Sequence, residues 1–296
     1  MTQTSAFKTP EGEAAYLASY GAAMERWPVQ YEEIEVPGRF GTTHVVVSGP
    51  ADGPPLVLLH GFMVTLTMWS PNVAELSGSH RVYAIDVMGQ PNMSVPDLDS
   101  PISDAADFAA WLGETLDGLS LDRVSLVGMS FGGWLALGFA MARPERIRRL
   151  VLLSPAGGLQ PLVRQFSLRG MLMGLFPTRF TVNSLMGWMG FSYASGDEVA
   201  RSACDLFYLG MKHFRLPPET SRILPSVFTD DELRVLRVPV LLLIGDREVI
   251  YDPAEALARA RRLIPNLEGE LVPDSGHEMC ASQHEIVDAR VLGFLI

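Results

Sequence analysis

The sequence predicts an α/β fold, a mostly parallel, doubly wound sheet with an inserted helical cap. Short apolar runs, typical of strands buried on both faces, alternate with helical patterns up to about residue 155. The alternation stops between about residues 156 and 230, and it resumes at Val238. Strands that alternate with helices form parallel sheets covered on both faces, so we interpret the interruption as an insertion into such a sheet.

The composition fits one large folded domain, or one such domain with an inserted subdomain. The chain has 296 residues, of which 48% are hydrophobic, so it can bury a full core. Its net charge of −11 argues against nucleic acid and anionic membrane surfaces as partners. No secretory signal is visible and no apolar stretch is long enough to span a bilayer, so we expect a cytoplasmic protein without stable membrane insertion. Cys204 and Cys280 form no C-x-x-C pattern, which indicates neither a disulfide framework nor a structural zinc site.

Residues 1–155 are expected to form the first part of the core. An amphipathic packing helix is predicted over 11–27, where Pro28 ends it, and an antiparallel hairpin at a sheet edge follows. The predicted strands cover residues 31–36, 43–47, 56–59, 81–87, 123–127 and 147–153. The predicted helices cover residues 69–76, 103–119 and 134–141. Ser103 is expected to cap the helix over 103–119, with Asp104 and Asp107 near the positive end of the helix dipole.

Residues 156–230, the cap segment, are rich in methionine and aromatic side chains. Glycines at 170, 174, 187 and 190 break up its short helical patterns. The simplest interpretation is a helical cap over the strand ends, and the alternative is a poorly periodic part of the core. Between residues 156 and 195 the segment has three arginines and no acidic residue. Two interpretations of these arginines stay open: a solvated face of the cap, or binding of the cap at a membrane interface. These arginines are Arg164, Arg169 and Arg179.

Residues 231–296 are expected to complete the core. A strand over 238–244 ends in Gly245-Asp246-Arg247-Glu248. A helix over 253–263, with proline at its first position and arginines in its last turn, leads to a strand over 267–272. The loop 274–277 and a closing helix over 282–294 follow.

The stretch that indicates chemistry is Gly128-Met129-Ser130-Phe131-Gly132, between a predicted strand and a predicted helix. A serine held at strained backbone angles in such a turn needs nearly side-chain-free neighbours two positions before and after it. Gly128 and Gly132 meet that demand.

A serine hydroxyl is a poor nucleophile at neutral pH, so catalysis requires a histidine within hydrogen-bond reach and a carboxylate that orients it. His277 is the best of six histidines for this role, because it lies in a glycine-containing loop directly after a strand. We expect the other five to be solvated or structural. Asp246 and Glu248 follow the same strand, and both are candidates for the orienting acid.

An oxyanion hole requires two converging backbone N–H groups. One is expected from Phe131, directly after the serine, and the other from Phe62, at the end of the strand that leads into His60-Gly61-Phe62. His60 is either a polar support for that loop or an ordinary buried histidine.

Nearly the whole chain resembles the α/β-hydrolase superfamily, and within it the esterase-like group that carries five motifs in order. The motifs are H-G-F at 60–62, D-x-x-G-x-x-x-x-S at 86–94, G-x-S-x-G at 128–132, G-x-x-[DE] at 245–248 and G-H at 276–277. The sequence of residues 227–253 is similar to that of bacterial proteins described as carboxylesterases.

The resemblance implies the α/β-hydrolase fold, with 156–230 as the family's cap insertion and 128–132 as its nucleophile elbow. It implies Ser130 as nucleophile and His277 as base. The family's acid is usually an aspartate at the position of Glu248, which implies Glu248 here and leaves Asp246 as the alternative. Asp86 falls on a structural loop motif of the family.

We therefore expect a serine hydrolase that cleaves carboxylic esters through Ser130, His277 and Glu248 and an acyl-enzyme intermediate, with Phe62 and Phe131 holding the oxyanion. No metal or organic cofactor is required. The apolar cap segment favours a small-molecule ester with an apolar acyl or alcohol group, although core packing explains the same residues.

Other functions remain open at this point. Hydrolysis of carbon–carbon bonds, amides or lactones and perhydrolysis use the same groups, and a ligand-sensing protein with little turnover is a further alternative. A serine at the elbow disfavours the dehalogenase and epoxide hydrolase branches. The sequence does not specify an oligomeric state.

Overall fold

The computed structural model describes residues 5–191 and 198–296, and in this range nine strands form one sheet. Along the sheet the strands lie in the order β1, β2, β4, β3, β6, β7, β8, β9, with the short β5 paired to β2. The strands are β1 (Tyr31–Gly38), β2 (Gly41–Ser48), β3 (Pro55–Leu59), β4 (Arg81–Ile85), β5 (Val95–Pro96), β6 (Val124–Met129), β7 (Ile147–Leu153), β8 (Val240–Gly245) and β9 (Leu267–Val272).

The sheet is antiparallel at one side and parallel elsewhere. β2 runs antiparallel to β1, β4 and β5, which confirms the predicted edge hairpin, whereas every pair from β4 to β9 is parallel. The predicted, mostly parallel α/β fold is confirmed. Gly128 pairs with Leu59 on one side and Leu152 on the other. The loops after β3, β6, β7 and β8 therefore emerge side by side at the carboxyl edge.

Helices cover both faces of this sheet, and two hydrophobic clusters lie between helices and sheet. The helices are α1 (Pro10–Met24), α2 (Ser70–Leu76), α3 (Ala105–Gly118), α4 (Phe131–Ala142), α5 (Arg164–Leu175), α6 (Arg179–Trp188), α7 (Glu198–His213), α8 (Asp230–Arg234), α9 (Pro253–Leu263), α10 (Met279–Ser282) and α11 (His284–Leu295). Among the residues described, no helix combines the length and the apolar character needed to cross a membrane.

One prediction for the helix ends was wrong. Asp104, not Ser103, is the N-cap of α3, because its carboxylate accepts from Asp107 N at 2.8 Å, and Ser103 instead donates to Asp107. The predicted closing helix over 282–294 corresponds to α11, and the short α10 precedes it. No strand was predicted at β5.

The cap segment forms α5, α6 and α7 between β7 and β8, and α8 begins at its last residue. Residues 192–197 within it lie outside the described part. Three of its four glycines do not break helices as predicted, because Gly170 and Gly174 lie inside α5 and Gly187 lies inside α6. Gly190, with φ +101°, follows the end of α6 as predicted. Arg179 pairs with Asp205 of α7. Large apolar side chains of α5 and the start of α6 are exposed, namely Leu168, Met171, Leu172, Leu175, Phe176 and Phe180.

The N-terminal helix α1 packs against α7 and the loop after β4. Phe7 lies against Phe214 with ring centroids 5.2 Å apart, directly after α7. Tyr16 donates its hydroxyl hydrogen bond to Pro91 O, and Tyr20 donates to Asp86 at 2.8 Å. The predicted packing helix thus joins the end of the cap segment to the core.

Candidate active site

The turn at Ser130 joins β6 to α4 at the carboxyl edge of the sheet. Ser130 has φ +54° and ψ −117°, a region that residues with side chains rarely occupy. A Cβ at Gly128 would overlap Gly132 O, and a Cβ at Gly132 would overlap Leu59 O. The predicted need for small residues two positions before and after Ser130 is therefore confirmed, since a side chain at either position would push this turn away from its neighbours.

The structure brings Ser130, His277 and Glu248 together from the loops after β6, β9 and β8. His277 Nε2 lies 2.8 Å from Ser130 Oγ, and His277 Nδ1 lies 2.7 Å from Glu248 Oε2. A carboxylate can only accept, so His277 Nδ1–H donates to Glu248, and Nε2 of a neutral ring accepts from the Ser130 hydroxyl. All three side chains are buried.

The Glu248 carboxylate is held in its charged form. Burial disfavours the charge, but His277, the Ile250 N–H at 3.1 Å and the nearby Ser154 hydroxyl outweigh it, so the pKa of Glu248 lies below its ordinary value. Val249 N–H also donates to Oε1, at 2.8 Å. The backbone therefore holds Oε1, while Oε2 faces the imidazole.

Asp246, the other candidate acid, has a different partner. Its side chain is exposed and accepts from Ser275 N–H at 3.2 Å. Arg247 N–H donates to Ser275 O at 2.9 Å beside it. These two bonds connect the loop after β8 to the loop that carries His277.

The two predicted oxyanion donors flank Ser130. Phe131 is the first residue of α4, so its N–H lies at the positive end of the helix dipole. The loop with Phe62 passes close by, because a Cβ at Gly61 would lie 3.5 Å from Ser130 Cβ. Within the described ranges, neither phenylalanine N–H donates a hydrogen bond to another protein group. Both are available to a ligand oxygen.

His60 supports the loop that carries Phe62. It is fully buried; its Nδ1–H donates to Gly61 O at 2.7 Å, and its Nε2 accepts from Val87 N–H at 2.9 Å. Burial lowers the pKa of His60, which favours the neutral ring that these two bonds require. Of the two interpretations of His60, the polar support is confirmed.

Asp86 has the structural place that the resemblance implied. Its carboxylate is fully buried and accepts from Leu66 N–H at 3.0 Å and from Tyr20. Burial disfavours the charge, but the hydrogen bond from His44 at 3.1 Å and the charges around it outweigh this cost and lower the pKa of Asp86. Asp86 therefore joins α1, β2 and the loop after β3.

Sequence reasoning missed Ser154. This residue follows β7 directly, is fully buried and has φ +39°. Its hydroxyl lies near Glu248. The available signal was its position after a parallel strand whose neighbours, β6 and β8, precede Ser130 and Glu248.

Among the described residues, no group of three or more His, Cys, Asp and Glu side chains is arranged to hold a metal ion. Of the remaining histidines, His44 contacts Asp86, and His80 Nδ1 lies 2.9 Å from Ser79 Oγ. His213 lies against Gly12 of α1, and His284 begins α11. These positions agree with structural or surface roles.

Comparison with known proteins gives consistent results over nearly the full chain. Residues 56–289 match the Alpha/beta hydrolase family. The chain is 36% identical over 279 residues to "Uncharacterized carboxylesterase nap" of Bacillus subtilis, covering 94% of this chain and 91% of that protein. It is 35% identical over 292 residues to "Carboxylesterase YbfK" of the same organism, covering 98% and 96% respectively.

A solved structure is similar as well. The crystal structure of naproxen esterase (carboxylesterase NP) from Bacillus subtilis superposes with a TM-score of 0.90 at 34% sequence identity, covering 98% of this chain and 100% of that one. With the fold, the Ser130 turn and these similarities taken together, the chain belongs to the alpha/beta hydrolase family and is carboxylesterase-like within it.

Proposed function

We propose that this chain hydrolyses carboxylic esters through a Ser130–His277–Glu248 triad and an acyl-enzyme intermediate. That it is a carboxylic ester hydrolase is indicated by its similarity to the two carboxylesterases over nearly its full length. The observation that carries the proposed mechanism is the continuous chain of contacts from Glu248 through His277 to Ser130, at 2.7 and 2.8 Å.

In the proposed mechanism His277 Nε2 takes the Ser130 proton as Oγ attacks the ester carbonyl carbon. Glu248 holds the ring with Nδ1–H toward itself and stabilises the positive charge that the imidazole gains. His277 then gives the proton to the leaving alcohol, and the acyl group stays on Ser130 Oγ. A water activated by the same nitrogen hydrolyses the acyl enzyme and restores the serine.

The Phe62 and Phe131 N–H groups would hold the oxyanion of each tetrahedral intermediate. Their lack of protein acceptors and the position of Phe131 at the start of α4 support this role. Because the negative charge develops only as the carbonyl is attacked, these donors act mainly on the rate of the chemical step.

We also propose that the cap segment covers this site and that the substrate is a small-molecule ester with an apolar group. Met189 O, just after α6, would lie 3.5 Å from a Cβ at Gly276, beside His277. Phe62 is 41% exposed, and its ring centroid lies 5.7 Å from that of Phe131, so the two rings offer an apolar surface next to Ser130. Phe176 and Phe180 are exposed, so they give this proposal no support.

The central test is Ser130→Ala assayed on short p-nitrophenyl esters, with fluorophosphonate labelling of the wild type. We expect the substitution to lower kcat by about 10⁴-fold or more and to abolish labelling. Near-wild-type turnover by Ser130→Ala, or a label on another residue, would contradict the assignment. Tight binding of a small ligand without turnover by the wild type would favour a sensor.

The acid is tested by comparing Glu248→Gln with Asp246→Asn, a matched pair in which each carboxylate becomes an amide. We expect Glu248→Gln to lower kcat by about 10²- to 10⁴-fold, because the amide does not stabilise the imidazolium. Asp246→Asn keeps an acceptor for Ser275 N–H, so it should change kcat by less than about 5-fold. A larger loss in Asp246→Asn would reverse the assignment.

The substrate class is tested with a chain-length series of esters beside amides, lactones and a carbon–carbon substrate. An apolar site predicts that kcat/KM rises by about 3- to 10-fold per added methylene over the first few carbons. A strict preference for acetyl esters would contradict it, and faster turnover of a non-ester would change the reaction assigned.

A further inference from the structure

The loop that carries Phe62 contains a backbone conformation that needs external support. Met63, the next residue, has φ +59° and is buried. A side-chain-bearing residue in the left-handed region costs about 1 kcal/mol relative to a right-handed conformation. Such a conformation persists where surrounding contacts hold it. A contact that holds the Met63 backbone therefore also affects the direction of the neighbouring Phe62 N–H.

Gln90 makes that contact from the loop after β4. Its Oε1 accepts from Met63 N–H at 3.0 Å, and its side chain is 1% exposed. Met63 N–H belongs to the peptide plane that follows Phe62, while the Phe62 N–H belongs to the plane before it. Only the two backbone angles of Phe62 separate these planes, so a bond that fixes the first restricts the direction of the second.

The segment that carries Gln90 is itself held from two sides. Gln90 N–H donates to Val87 O at 3.3 Å. Pro91 O accepts from Tyr16 of α1, and a Cβ at Gly210 of α7 would lie 2.7 Å from Pro91 Cγ. Both α1 and α7 therefore pack against the segment that carries Gln90. These contacts restrict the movement of Gln90 relative to the loop that contains Phe62 and Met63.

We propose that Gln90 is a positioning residue, which holds the Met63 peptide so that the Phe62 N–H points to where the oxyanion forms. This inference rests on the proposed ester hydrolysis. Gln90 does not touch the reacting atoms. Its loss lets the Met63 turn relax, and the Phe62 donor then has to be reoriented in each catalytic cycle. The cost falls on the transition state, because the ester in the ground state has no full oxyanion to bind.

The substitution that tests this is Gln90→Met, which keeps the length and volume of the side chain and removes the amide acceptor. On p-nitrophenyl butyrate we expect kcat to fall by about 10- to 100-fold, less than for the direct loss of an oxyanion donor, with KM changed by less than about 3-fold. The affinity of a phenylboronic acid, whose adduct with the serine is tetrahedral, should fall in parallel with kcat/KM. Gln90→Glu, which keeps an acceptor at the same reach, should recover at least part of the loss.

A control separates positioning from general destabilisation. Trp27→Phe removes a buried hydrogen bond, from Nε1 to Ser48 Oγ at 3.1 Å, away from Ser130. It should lower Tm while kcat and boronate affinity stay within about 2-fold of the wild type. If Gln90→Met does not fold, Gln90→Asn, which withdraws the acceptor by one methylene, serves in its place. The expected result is the same: kcat and boronate affinity fall while KM changes little.

Three outcomes would overturn the proposal. They are wild-type kcat and boronate affinity in Gln90→Met, a raised KM at unchanged kcat, and an equal loss of kcat in Trp27→Phe. In each of these cases the wild type still hydrolyses esters in a Ser130-dependent manner, so the proposed function stands. A wild type without Ser130-dependent turnover or labelling would overturn the proposed function and this inference with it.

Discussion

Replacing Asp288 with asparagine should stabilise the protein above neutral pH. Asp288 of α11 is 2% exposed, and it accepts from Asn72 Nδ2 of α2 at 2.8 Å. Asn72 Oδ1 is buried and has no partner among the described residues. Burial raises the pKa of Asp288 to about 7, with Asn72 opposing this and Glu75 adding to it. A protonated Asp288 carries a donor and no charge, whereas an ionised Asp288 places an uncompensated charge in the interior.

The magnitude follows from the rise in pKa from 3.8 to about 7. At about 1.36 kcal/mol per pH unit, the upper bound is about 4 kcal/mol, and relaxation around the charge should reduce it to about 2 kcal/mol. The native state binds more protons than the unfolded state between these two values. Stability from this group is therefore fully present below about pH 4, is lost as the pH rises toward 7, and changes little above that.

The assay is urea unfolding of the wild type and Asp288→Asn at pH 5, 6, 7 and 8. The asparagine amide cannot ionise, so the free energy of unfolding of the variant should exceed that of the wild type by about 2 kcal/mol at pH 8, with a smaller difference at pH 5. Asp52→Asn, the same change at an exposed site, should leave the pH dependence of the wild type in place. A difference that is the same at all four pH values, or a less stable variant at pH 8, would refute the reasoning.

Two further predictions concern packing and the buried polar network. Gly132→Ala should lower the free energy of unfolding by more than about 3 kcal/mol, because the new Cβ would overlap Leu59 O and lie 2.6 Å from His60 O. The control Gly170→Ala, in α5 with open space around it, should raise the free energy of unfolding by about 0.5–1 kcal/mol. Equal Tm values for the two variants would contradict this prediction. Tyr20→Phe should cost about 1.5–3 kcal/mol in urea unfolding, because the buried Asp86 carboxylate loses a donor at 2.8 Å, and an unchanged unfolding midpoint would count against the importance of that bond.

Local sequence patterns determined most of the sheet. The predicted strands over 147–153 and 267–272 and the helix over 253–263 have the bounds of β7, β9 and α9. Continuous apolar runs specify strands buried on both faces, and proline and charge placement specify the ends of α9. The two-residue β5 and the four-residue α10 escaped prediction because elements this short show no periodic pattern.

The candidate site followed from the sequence in outline, because every candidate lies directly after a predicted strand and parallel strands bring such positions to one edge. Strand position alone left both Asp246 and Glu248 open, because they leave the same strand, and the family resemblance favoured Glu248. Only the tertiary structure, through contacts between residues 29 and 147 positions apart, brings Glu248 to His277 and His277 to Ser130. The support of Met63 by Gln90 has the same origin. Such pairings depend on how loops from different strands turn toward one another, and no local pattern encodes that.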